Sequence, residues 1–202
     1  MKLTSLTILM LLVTLGGAAS AQRPRYQPPL RQPCDFIEPL TKLEEFDARW
    51  ETVIVRGSTH IMGLATREGF VRVDAIELRD EGNGTRALGV VVELRDPTRQ
   101  DETHPAQESK SYVDYEEIDA VIKAWDRVAR TDDTITKLNN FQSSYRTKGN
   151  LEIAVFRQTS GGAIAAAVSG GCDQVRVFLS LDEFIKLRWM IVQAKARLDE
   201  IK

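Results

Sequence analysis

The 202-residue chain is poor in the residues that most often carry chemistry: two cysteines, two histidines and 7% aromatics. No Cys-x-x-Cys occurs, so a thiol redox centre of that type has no basis. His60 and His104 lie far apart, neither has a neighbour at metal-ligand spacing, and no zinc or metalloprotease pattern includes them. No serine occupies a Gly-x-Ser-x-Gly elbow, and no glycine-rich turn is followed by the lysine of a phosphate-cradling loop. These absences leave no residue to name as catalytic, cofactor-binding or metal-binding, and no cofactor is expected. A formal charge of −2 excludes the basic excess that a polyanion partner demands. Beyond the first residues no long apolar run occurs, so no transmembrane segment is expected after the N-terminus.

What is present begins with an export signal. Lys2 supplies a positive end, Leu3 to Leu15 an apolar stretch, and Ala19-Ser20-Ala21 the small-x-small pattern that a signal peptidase accepts. Cleavage is expected near Ala21, before Gln22. The stretch is too short and too interrupted by threonine for a membrane-spanning helix. Residues 1–21 are therefore expected to be a signal peptide, and the mature chain to be secreted or periplasmic. In such a compartment Cys34 and Cys172 are candidates for a disulfide, which would tie the N-terminal arm to a late loop. Two unpaired thiols are the alternative, because sequence does not supply the distance between them.

Residues 22–35 hold Pro24, Pro28, Pro29 and Pro33 among Arg23, Arg25 and Arg31 and read as an extended arm. Residues 36–202 read as an α+β domain. Ile37, Leu40, Leu43 and Phe46 recur at helical spacing, with Pro39 at a first helical position, and predict a short helix ending near Ala48. Val53 to Val55, Ile61 to Ala65, Phe70 to Leu78 and Ala87 to Leu94 are short, β-branched and separated by turn residues, and predict antiparallel strands. Asn83-Gly84 within Glu81-Gly82-Asn83-Gly84 marks a hairpin turn. Asp80-Glu81-Gly82-Asn83-Gly84 has a faint calcium-loop look but lacks the spaced acids and terminal glutamate of that loop. Asn83-Gly84-Thr85 also fits the glycosylation acceptor pattern, which matters only in a eukaryotic secretory route. Asp96 to Ser109 reads as a long polar loop.

Asp114 followed by Glu117 signals a capped helix start, with Ile118, Val121, Ile122, Trp125 and Val128 on one face. The order then repeats. Phe141 to Arg146, Leu151 to Phe156, Ala163 to Val168 and Val175 to Leu179 predict strands, and Ser180 with Glu183 predicts a second capped helix. The expected fold is α+β: two pseudo-repeated antiparallel meanders, about 50–131 and 141–202, each followed by a capped helix that covers its sheet. The last helix adds Trp189, Met190 and Ala196 to its apolar residues. That width is expected to pack it between the halves; an exposed surface for oligomers is the alternative.

A four-strand meander running into Phe178-Leu179-Ser180-Leu181-Asp182-Glu183-Phe184 and a long helix resembles the Whirly and transcriptional-cofactor folds that bind single-stranded DNA. The likeness spans roughly Trp50 to Lys202 and implies a basic groove with stacking aromatics. Three expectations for function follow. The first is an exported non-catalytic binding or structural module of the envelope or extracellular space, engaging a protein or small ligand. The second is an enzyme with an acid-base site around His60 or His104, favoured by a deep pocket that sets one of them beside an acid. The third is a Whirly-like binder of single-stranded nucleic acid, favoured by a contiguous basic and aromatic sheet face.

Overall fold

A computed structural model describes residues 41–97, 107–132, 134–157, 162–171 and 175–202. The N-terminal segment, His104, Cys34 and Cys172 lie outside the described residues, as do Ile37, Pro39 and Leu40. The described chain is an α+β fold of two four-stranded antiparallel sheets, each followed by a helix. A short helix α1, Lys42–Asp47, comes first. The first sheet runs β1 (Ile54–Ala65), β2 (Phe70–Asp80), β3 (Arg86–Asp96) and β4 (Gln107–Asp114), and leads into α2 (Tyr115–Ala129). The second runs β5 (Gln142–Arg146), β6 (Glu152–Arg157), β7 (Ile164–Gly170) and β8 (Val175–Leu179), and leads into α3 (Leu181–Asp199).

Two strand predictions merge and one strand was not predicted. Val53 to Val55 and Ile61 to Ala65 belong to the single long β1, because Arg56 to His60 continue the ladder to β2. Those residues are exposed on an edge strand, where polar side chains replace β-branched ones without loss of pairing. A register shift between His60 and Met62 marks a bulge at Ile61. The unpredicted strand is β4, the end of the supposed polar loop. Its inward residues include Ser109 and Ser111, and Gly171 donates its amide to Ser111 Oγ at 2.9 Å. Small polar groups there admit the close approach of the β7–β8 turn, so the strand carries no apolar alternation to read. On the same strand, Gly149 of the β5–β6 turn packs so tightly that a Cβ would fall on the Tyr112 carbonyl.

One core fills the space between sheets and helices. Val71, Val73, Val90, Val92 and Leu94 of the first sheet meet Ile153, Val155, Val168 and Val177 of the second. The helices close it, but not as each half alone would suggest. α3 lies across β1, β2 and β3 of the first sheet, and α2 meets β5 and β6 of the second besides its own β3 and β4. Each meander is thus covered partly by the helix of the other half. The periodicity of a helix sets which of its sides is apolar, not which sheet receives that side. Between the antiparallel helices, Trp125 stacks obliquely on Phe184 with ring centroids 5.0 Å apart.

Caps explain where the helices begin. Ser180 and Glu183 form the predicted reciprocal box at α3, and Thr41 with Glu44 forms another at α1. At α2 the predicted box is not made. Asp114 holds the N-cap position without a side-chain bond to α2. Its carboxylate instead accepts the amides of Lys42 at 2.9 Å and Leu43 at 3.2 Å, at the start of α1. Glu117 turns to the amide of Lys148 at 3.1 Å, and burial raises its carboxyl above the usual range. Asp114 so pins α1 to the back of the first sheet, where Leu43 and Phe46 form a second cluster with Ile76, Leu78, Ala87 and Val91. Among the described residues no helix is long and apolar enough to cross a membrane.

Candidate functional site

The histidine singled out by sequence sits on the outer face of the first sheet. The β1–β2 register sets His60 opposite Asp74, and His60 Nδ1 lies 2.7 Å from Asp74 Oδ1. Asp74 is nearly buried, yet it does not serve His60 alone: Arg72 Nε lies 2.8 Å from its other oxygen. The face continues as alternating charge, with Lys110 on Glu93 at 2.9 Å and Arg95 on Glu108 at 3.4 Å. Near α1, Arg56 pairs with Asp47, which also accepts from Tyr112 Oη at 3.1 Å. A hollow of about 320 Å³ opens beside Phe70, Arg72, Glu93 and Lys110, lined by these same pairs. His60 therefore has its acid, but its half-exposed ring stands on an open face whose cations are matched by acids. General-base catalysis needs a substrate held within reach and away from water, which an open lattice of ion pairs does not provide. Nor does alternating sign make a continuous basic track.

A second hollow, about 600 Å³, is lined by Arg49, Trp50, Thr52, Asp80, Gly82 and Asn83. The segment with the calcium-loop look is the β2–β3 hairpin turn, in which Gly84 takes φ +70°. The Asp80 carboxylate is occupied by protein donors: Thr52 Oγ1 at 2.7 Å, Gly82 N at 2.9 Å and Arg49 Nη1 at 3.0 Å. Led by the Thr52 hydroxyl, these hold its carboxyl below the usual range. A depressed folded pKa means stability that is present above the unfolded value, about 3.9, and lost as pH falls through the folded one. The wild-type chain is expected to be more stable than Asp80→Asn at neutral pH. That margin should shrink below about pH 4 in urea titrations; a margin independent of pH would contradict it.

The third feature is the outward side of α3. Its inward residues Phe184, Leu187, Met190, Ile191, Ala194 and Leu198 are buried. At 3.6 residues per turn, Ile185, Trp189, Val192 and Ala196 line up on the opposite side. Ile185 is 57% exposed, Trp189 46% and Leu181, at the start of the helix, 43%. α2 makes the contrast plain, since its outward residues are Glu116, Asp119, Lys123 and Arg127. One flank of the α3 stripe is tied to α2, through Arg188 Nη2 on Asp126 at 2.9 Å and Tyr115 on Asp199. The other flank carries Asp182, Lys186, Gln193 and Arg197. The stripe that sequence expected to be consumed between the halves is thus divided: Met190 enters the core, whereas Trp189 and Ala196 face out.

Comparison with family models, curated proteins and solved structures finds no match. The chemistry of the surface is therefore the guide to its use. Isolated exposed apolar residues are ordinary, but a row of them on a helix already apolar on its buried side is not. Large aliphatic and indole groups in a polar surround are the composition of protein interfaces. Sequence width pointed to this helix, and only the packing of α3 on β1 to β3 separates the residues the core takes from those it leaves out.

Proposed function

We propose that the protein is an exported, non-catalytic binding module of the cell envelope or extracellular space, and that the outward side of α3 is its binding surface. The export signal at Met1 to Ala21 supports the compartment. The row Ile185, Trp189 and Val192, with Leu181 at its head, supports the binding role. It is the observation that carries the reading: Leu181, Ile185 and Trp189 are exposed and Val192 half-buried, and covering such a row with a partner is favourable. Catalysis has less support, since His60 shares Asp74 with Arg72 on an open face.

The test separates surface from core. Ile185→Glu combined with Trp189→Glu is expected to leave the unfolding free energy of dilute protein within about 0.5 kcal/mol per site. At the same low concentration, where the surface is uncovered, the variant should lose binding of an apolar fluorescent dye that the wild type takes up. A loss of several kcal/mol would mean that both side chains belong to the core, and the reading would fall.

A further inference from the structure

We infer that the partner of the α3 surface is a second copy of this chain, docked antiparallel about a two-fold axis near Trp189. The inference rests on the binding role proposed above for that surface. A helix pair related by a two-fold presents the same stripe twice, so the stripe must be complementary to its own reversal. Here it is. With the axis near Trp189, Ile185 of one copy falls against Val192 of the other, and the two indoles meet at the centre. On the open flank, Asp182 in the first turn lies within one residue of the same distance from Trp189 as Arg197 does in the last. Reversal therefore sets each Asp182 beside the other copy's Arg197. The middle of that flank places Lys186 against the neutral Gln193, so no like charges meet on it; on the tied flank Arg188 falls near its counterpart in the other copy but is already paired with Asp126.

The charges are available for this. Asp182 and Lys186 make no ion pair among the described residues, and Arg197 has only its own-helix neighbour Glu200. The tied flank cannot play the same part, because Arg188 and Asp199 are engaged by α2. Antiparallel docking also sets the positive N-terminal end of each helix dipole beside the negative C-terminal end of the other. A parallel pair would instead set the open flank of each copy against the tied flank of the other, where Arg188 and Asp199 are engaged by α2 and Asp182 does not meet Arg197.

The experiment is sedimentation equilibrium of the purified chain across a concentration series, with the charge variants. The wild type is expected to be a dimer whose dissociation constant rises about tenfold with Asp182→Arg or Arg197→Asp, each of which creates two repulsive contacts. The double variant, Asp182→Arg with Arg197→Asp, restores affinity, and Trp189→Glu yields monomer with unchanged circular dichroism. A wild type that stays monomeric up to about 100 μM, a range in which even weak dimers populate, would overturn the dimer. It would leave the binding surface standing if the dye result above holds. A dimer abolished by Trp189→Glu but indifferent to both charge variants would overturn the antiparallel register.

Discussion

Replacing Trp125 by Ala is expected to cost about 3–5 kcal/mol, the range for removing a large aromatic from a packed core. Trp125 is 1% exposed and lies between the two helices, against Phe184. It holds α2 to α3 at the place where the halves exchange their helices, so the cavity would open in the element that joins both sheets. Trp125→Phe should cost less than about 1.5 kcal/mol. Among the described residues the buried indole Nε1 has no hydrogen-bond partner, and removing it offsets part of the lost contact. Urea unfolding of both variants checks the pair. Equal losses would mean that the indole nitrogen has a partner that matters; no loss from Ala would mean that α2 and α3 do not depend on one another.

Asp114→Ala is expected to cost about 1–3 kcal/mol, because it leaves the Lys42 and Leu43 amides without their acceptor and the latter bond is buried. The damage should be local. Protection from hydrogen exchange should fall at Leu43 and Phe46, while the first turn of α2, which takes no bond from this carboxylate, stays as it is. Asp114→Asn keeps one acceptor oxygen and should lose less. Fraying of α2 in place of α1 would restore Asp114 to the role that sequence assigned it.

That difference marks the limit of what the residues reveal in order. Ser180 and Glu183 cap their own helix because donor and acceptor lie within one turn, and the pattern is legible. Asp114 and Glu117 have the same spacing, but α1 and the β5–β6 turn offer amides that compete for them, and nothing local announces those partners. The second meander was legible almost strand for strand. In the first, β4 was hidden because Ser109 and Ser111 face glycines where apolar residues usually stand. The exchange of helices between sheets was illegible for a related reason: Val121 and Ile191 mark an inward side without naming the sheet behind it. The candidate surface was half visible. The width of the last apolar stripe was plain, but its division between core and surface was a matter of packing.

The most direct test of the binding account is photo-crosslinking of the chain in its native host, with a photoreactive residue in place of Ile185 and, as control, in place of the exposed Lys123 on α2. The account predicts an adduct of one defined mass at Ile185 and none at Lys123, that mass being twice the chain if the partner is a second copy. No adduct at Ile185, or the same scatter of adducts at both positions, would contradict a binding role for the outward side of α3.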